Sequence, residues 1–166
     1  MLKKYFEHKT VWISLLAVIA VMSFIFFMSA QTEEESSKTS GGIVDIFIDI
    51  FLPDFDELPI SEQTEKLNVI TNVIRKLAHY TEYAVLGFFL ALHLNELKSK
   101  LYCKAELWYS LIVGSLYAVS DECHQYFVPG RGPGVKDVLI DSLGVLTGLV
   151  IIVCILRMKK NKTGKI

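Results

Sequence analysis

The sequence predicts an all-α fold, a polytopic membrane helix bundle of four transmembrane helices with a short extracytoplasmic interfacial helix. Three observations predict it. Among 166 residues, 52% are hydrophobic and the mean hydropathy is +0.41. These residues fall in long runs rather than at the 3.6 or 2.0 spacing of a soluble amphipathic element. The basic residues are also grouped on alternate sides of those runs, as membrane insertion prefers.

The first run, Val11 to Met28, is eighteen residues without a charge. At about 1.5 Å per residue it approaches the roughly 30 Å of bilayer hydrocarbon, so a span over about 10–29 is expected. A cleaved secretory signal is the competing reading, since Lys3, Lys4 and Lys9 precede the run and Ser29 and Ala30 are small. Against it, the run is longer than a usual signal core, and Met28 stands where a small residue is wanted before the cleavage site. Leu77 to Leu94 is apolar except for His79, Glu82, His93 and a few tyrosines and a threonine, which predicts a span over about 75–95. Leu107 to Val119 is apolar and aromatic, and extends to a third span over about 105–121. Val138 to Leu156, interrupted by Asp141 and small polar residues, is the fourth, over about 138–156.

An outer segment, 30–74, links the first two spans. Its opening stretch "QTEEESSKTSGG" reads as an exposed linker. Asp45 and Asp49 then fall four apart among Ile, Val and Phe before Pro53, which places both on one face of a short helix at the membrane interface. Ser61 is a candidate N-cap, with Glu62 and Glu65 in a first turn where negative charge suits the helix dipole. Leu67, Ile70, Ile74 and Leu77 continue at helical spacing into the second span.

Charge sets the orientation. With the first helix running outward, Lys3, Lys4, Lys9, Lys98, Lys100, Lys104, Arg157, Lys159, Lys160, Lys162 and Lys165 are cytoplasmic, eleven of seventeen basic residues. Both termini are then cytoplasmic, and fifteen of eighteen acidic residues lie on or toward the outer side. The net charge of −1 offers no basic surface for nucleic acid. Cys103 and Cys154 fall toward the reducing side and Cys123 toward the outer side, so no intramolecular disulfide is expected. Cys123 reads as a small buried residue.

Counting along the helices brings His79, Glu82, Asp121 and Asp141 to one level in the outer third of the bilayer. A charge at the bilayer centre costs about 2.5–3.5 kcal/mol on insertion scales. Glu82, Asp121, Glu122 and Asp141 should therefore face one another, with Arg75, Lys76, Arg131, Lys136 and the histidines as counter-charges. The expected result is an outward-opening polar pocket. Arg75, His79, Glu82 and Tyr83 share a helical face, and Asp137 and Asp141 are a turn apart. Gly144 and Gly148 form a small-xxx-small pair that permits close approach, to an internal helix or to a second chain in a homo-oligomer. The link "FVPGRGPGVKD" forces a turn around Arg131, a planar fork suited to carboxylate or phosphate. Glu122 and His124, two apart, diverge on a helix but can converge at a helix end. His79, Glu82, Glu122, His124 and Asp141 are of the types that bind zinc, but no HExxH or CxxC spacing is present, so no metal or other cofactor is assigned.

"RKLAHYTEYAVLG" and "SDECHQYFVPGRGPGVKDVLIDSLGVLTG" resemble the two signature segments of the VanZ-like family of bacterial membrane proteins. "FFMSAQTEEESSKTS" resembles its Ser-x-Gln stretch with trailing serines. The likeness runs from about residue 24 to 150. It departs at Ala30, where serine is common, and at Gly132 and Pro133, where serine often follows the arginine. The resemblance implies one membrane domain over 1–166 in the bacterial cell membrane, and a role in the cell envelope or in the response to the glycopeptide antibiotic teicoplanin. The matched polar positions are Lys76, His79, Glu82, Tyr83, Asp121, Glu122, His124, Gln125, Arg131, Asp137 and Asp141.

Three functions fit. The first is a membrane-embedded enzyme acting on a lipid-linked envelope precursor or phospholipid at the outer leaflet. In it Glu82, Asp121, Glu122, His124 and Asp141 move protons, while Arg75, Lys76, His79, Tyr83, Gln125, Arg131 and Asp137 bind the substrate. The second is a binder of a lipid headgroup or a glycopeptide. The third is a non-catalytic partner subunit of an envelope complex. The plain structural alternative to all three is an ion-pair network that fixes helix order.

Overall fold

The computed structural model describes residues 2–98, 104–132 and 134–162. Cys103, Lys100, Pro133 and Lys165 lie outside the described residues. Among those described there are five α-helices and no strand: α1 (Leu2–Ser29), α2 (Glu33–Phe51), α3 (Ile60–Lys98), α4 (Lys104–Gln125) and α5 (Val135–Lys162), with a short 3₁₀ turn at Phe55–Glu57.

Each long helix buries a single stripe. On α1 it is Ser14, Val18, Ile25 and Ser29; on α4, Ser110, Ala118, Asp121, Glu122 and Gln125; on α5, Asp141, Val145, Leu149 and Ile152. Spacings of three and four keep such residues on one face of a 3.6-residue helix. α3 is central, packing on α5 most extensively and on α1, α4 and α2. Tyr83, Leu86 and Leu90 of α3 meet Val18 and Ile25 of α1, Ala118 of α4 and Val145 of α5 in the main core, and Ala91, Leu149 and Ile152 form a second cluster.

Glycines set the helix separation. A Cβ on Gly148 would fall 1.8 Å from the Ala84 carbonyl oxygen, one on Gly144 2.4 Å from that of Tyr80, and one on Gly87 2.1 Å from that of Val145. The small-xxx-small pair thus serves an internal helix. Gly87, on the facing helix, completes the contact. Tyr80 and Thr147 hydrogen-bond across the same seam at 2.7 Å.

Side-chain bonds fix α1 at both ends. Ser14 Oγ pairs with His93 Nδ1 at 2.9 Å near one end of the bundle, and Ser29 Oγ donates to Asp121 Oδ2 at 2.8 Å near the other. Between them Tyr117 donates to the Met22 carbonyl at 2.7 Å. The first helix is therefore an integral part of the core.

The polarity is inverted relative to a soluble protein. Trp12, Leu16, Phe24 and Phe27 on α1, Trp108, Ile112 and Leu116 on α4, and Leu139, Leu143 and Val150 on α5 are exposed, while Asp121, Glu122, Gln125 and Asp141 are buried. An apolar belt of this extent is what a lipid surround requires. Among the described residues two helices are long and apolar enough to cross a membrane, Lys9–Ser29 and Val135–Lys159. Of the four spans expected, α3 and α4 do not reach that apolarity, because His79, Glu82 and His93 interrupt the first and Asp121, Glu122 and His124 end the second.

The segment expected to be an exposed linker is helical. Thr32 accepts from the Glu35 amide at 3.3 Å and Glu35 Oε2 accepts from the Thr32 amide at 2.8 Å, a reciprocal cap that starts α2 at Glu33. This closes two otherwise unpaired donors. The short interfacial helix expected around Asp45 and Asp49 is the second half of this longer one, and both aspartates are exposed. α3 likewise begins before Ser61. The Pro59 carbonyl accepts from Glu62 and Gln63, so Ser61 lies within the first turn and does not cap it.

Candidate functional site

Where α1 ends, α3, α4, α5 and the 126–134 loop enclose a cavity of about 190 Å³, lined by Glu33, Asn72, Arg75, Lys76, His79, Glu122, Gln125, Gly130, Arg131, Gly132, Asp137, Ile140 and Asp141. Eight of the twelve residues expected in a polar pocket are here: Arg75, Lys76, His79, Glu122, Gln125, Arg131, Asp137 and Asp141. Three more lie beneath or beside it. Asp121 is 3% exposed and bound by Ser29 and by Gln125 Nε2 at 3.1 Å. Tyr83 is wholly buried, its hydroxyl beside Asp121 without completing a hydrogen bond. Glu82 lines a neighbouring apolar groove.

His124 is the exception. α4 stays regular to Gln125, so Glu122 and His124 do not converge at the helix end. Glu122 turns into the cavity, where the Gly134 amide donates to Oε2 at 2.8 Å, while the His124 ring packs on Phe26 of α1 with centroids 4.4 Å apart. Cys123, expected to be buried, is exposed, because it takes the helix face opposite to the buried stripe. Lys136 is also exposed and is not part of the cavity lining.

The loop is built to carry Arg131. Successive turns after α4 bond Phe127 to His124, Val128 to Gln125, and Arg131 to Val128 through the backbone. Gly130 has φ 78°, in the left-handed region, and a Cβ there would come within 3.0 Å of Glu33 Cβ. This close approach makes α2 a wall of the cavity, and Glu33 is a lining residue that sequence reasoning missed. Its signal was the Thr32–Glu35 capping pattern, which fixes where α2 starts.

The cations differ in their partners. Lys76 is paired with Asp137, and Arg75 lies 3.8 Å from Glu33. Among the described residues Arg131 has neutral hydrogen-bond partners, Gln125 Oε1 at 3.3 Å and the Met28 carbonyl at 3.4 Å, and its Nε is buried with none. Burial and the neighbouring Arg75 pull its guanidinium below the ordinary arginine value, with Asp121, Glu122 and Glu82 pulling the other way. It stays charged, since arginine is not deprotonated in proteins. Asp141, 2% exposed, faces the same space with no hydrogen-bonding side chain against it among the described residues. His79 Nδ1 and Glu82 Oε2 stand 3.7 Å apart, and neither has a hydrogen-bond partner.

The cavity wall thus carries a guanidinium with no ion-paired carboxylate among the described residues and, elsewhere on the same wall, the carboxyl group of Asp141. Such a pair suits a small group carrying both an anion and a hydrogen-bond donor. Among the described residues no three His, Cys, Asp or Glu side chains converge on a point that could hold a metal ion.

A helical bundle with an apolar exterior, two helices of membrane-spanning character and a polar cavity at one end is a membrane protein. The particular family follows from comparison. The family model described as VanZ/LLP1 matches residues 14–157, most of the chain, and the protein belongs to that family. No curated protein and no solved structure matches it.

Proposed function

We propose that the protein is a VanZ-type multi-pass membrane protein of the bacterial cell membrane, spanning it with α1, α3, α4 and α5. Both termini lie in the cytoplasm, and the cavity opens outward. There it holds the anionic head group of an envelope lipid or lipid-linked precursor, and through it acts in the response to teicoplanin-type glycopeptides. Support for the topology comes from the positive residues at the chain ends and from Tyr126 and Phe127 on the loop, exposed at 67% and 80%. Aromatic residues of this kind favour a membrane–water boundary.

The observation that carries the ligand class is Arg131, a cation in the cavity wall whose hydrogen-bond partners among the described residues are all neutral. Size carries the next step. About 190 Å³ is below the roughly 300–1,000 Å³ of sites for drug-sized ligands, so the cavity takes a head group and not a whole glycopeptide.

An enzymatic role is favoured by one further observation, the buried oxygens of Glu82 and Asp121 and the buried Nδ1 of His79 that lack partners next to the cavity. Unpaired buried polar atoms are costly and recur at reaction sites. The two readings separate in one experiment. Cells lacking the gene are complemented with the wild type, Arg131→Gln, Glu122→Gln or Asp141→Asn, then assayed for teicoplanin susceptibility and for lipid-linked precursor content. A binding role predicts that Arg131→Gln loses the phenotype while at least one carboxamide variant keeps it. Loss in both carboxamide variants, with head-group binding intact, favours the enzyme. All three behaving as wild type refutes the cavity as the working site.

A further inference from the structure

Beside the cavity, on the adjoining face of α3, runs an apolar groove of about 790 Å³ between α1, α2 and α3, with Phe24, Phe47, Ile74, Ala78, Glu82 and Val85 among its walls. The two spaces share the same turns of one helix. Arg75, Lys76 and His79 face the cavity, whereas Ile74, Ala78, Glu82 and Val85 face the groove. The His79–Glu82 pair marks the boundary, and its buried Nδ1 and Oε2 lack partners there.

We propose that the groove seats an acyl chain of an anionic glycerophospholipid drawn from the surrounding bilayer, with the phosphate of the same molecule at Arg131. This rests on the reading of the cavity as a head-group site. Three features point to that occupant. The groove's walls include the exposed apolar side chains of Phe24 on α1 and Leu77 and Val85 on α3, a surface suited to a lipid chain. α2 closes over it with Phe47, so a chain is held on three sides and not merely adjacent to the protein. The Arg131 guanidinium, with no ion pair among the described residues, lies on the cavity side, and a phosphodiester supplies one. Head-group hydroxyls fit Asp141 and Glu122, and the glycerol region falls at the level of His79 and Glu82, where the two spaces adjoin.

The full chain, in phosphatidylcholine vesicles, is labelled with phosphatidylglycerol carrying a diazirine near one chain end, and separately with phosphatidylcholine carrying the same group. Cross-links at groove residues are expected to favour the anionic probe about fivefold, the equivalent of the roughly 1 kcal/mol by which one basic residue attracts an anionic lipid. Ala78→Trp, and the milder Ala78→Leu with its melting temperature checked, are expected to lower that labelling in order of side-chain size. Equal labelling by the two probes, or undiminished labelling in both Ala78 variants, overturns the inference. The underlying cavity reading is tested apart, by calorimetry of glycerol phosphate binding to the wild type and Arg131→Gln. Unchanged binding in that variant overturns the cavity reading, whereas weakened binding with equal probe labelling overturns only the groove.

Discussion

Replacing Gly148 by alanine tests the seam on which the site depends. The added Cβ would lie 1.8 Å from the Ala84 carbonyl oxygen, 2.7 Å from the Phe88 nitrogen and 2.8 Å from the Ala84 carbonyl carbon. All three are backbone atoms of α3, so no side chain can rotate away. Opening the first contact from 1.8 Å to at least 3.0 Å moves α5 outward by about 1.2 Å. A gap of about 0.5–1 Å already forfeits a quarter to a half of the dispersion well for the atoms involved. Val145, Leu149 and Ile152 all contribute core contacts along this seam. Overpacking a close-packed interface costs about 1–3 kcal/mol; with the upper figure applied to an all-backbone clash and about 1 kcal/mol returned by replacing a helical glycine, the net loss is about 2 kcal/mol. Gly41→Ala is the control, since nothing beyond the local backbone of α2 lies within 4 Å of that Cβ and the change should stabilise by about 0.5–1 kcal/mol. Both are read by reversible unfolding of the purified protein in mixed micelles, followed by helical circular dichroism. If Gly148→Ala unfolds within about 0.5 kcal/mol of wild type, α3 and α5 do not approach as closely as described and the argument fails.

Other outcomes follow from the same geometry. Ser29→Ala removes the donor to Asp121 and leaves a buried carboxylate held by Gln125 alone; a loss of about 1–3 kcal/mol is expected in the same unfolding assay. Gly130→Ala forces a side chain into φ 78° and toward Glu33, costing about 1–2 kcal/mol and speeding proteolysis of the 126–134 loop, while Gly132→Ala, with nothing within 4 Å, leaves that rate unchanged. The Thr32 backbone amide, then the Thr32 hydroxyl, hold the Glu35 carboxyl below its ordinary value of 4.5. A group whose folded value is depressed stabilises above its unfolded value and loses that contribution as pH falls through the folded value. Acidification below the ordinary carboxylate range should therefore loosen the start of α2, seen as an acid-shifted titration of the Thr32 amide resonance that Glu35→Gln abolishes.

Much of this arrangement was legible in residue spacing. Gly144 and Gly148 announced a close helix contact, and the need to hide Asp121, Glu122 and Asp141 from lipid placed them together. What escaped notice were effects of local hydrogen bonding and of rotation about a helix axis. Thr32 and Glu35 cap a helix in a stretch whose polar composition and paired glycines, Gly41 and Gly42, read as a linker. Glu122 and His124, free to converge only at a helix end, diverge, because α4 keeps its period through Gln125 and turns the histidine toward Phe26. Ser29, a small residue in a plausible cleavage site, is instead wholly buried against Asp121. Partner choice at this distance in sequence leaves no periodic trace.

The 39 residues of α3 form one uninterrupted rod. At about 1.5 Å per residue it extends to nearly 60 Å, about twice the hydrocarbon thickness. His79 sits near its midpoint, nineteen residues from Ile60. No glycine or proline breaks the stretch between them, so no kink-forming residue separates the Ile60 end from the His79–Glu82 pair. The end of α3 nearest α2 and the wall of the cavity thus belong to one stiff piece, held along its length by the α3–α5 seam.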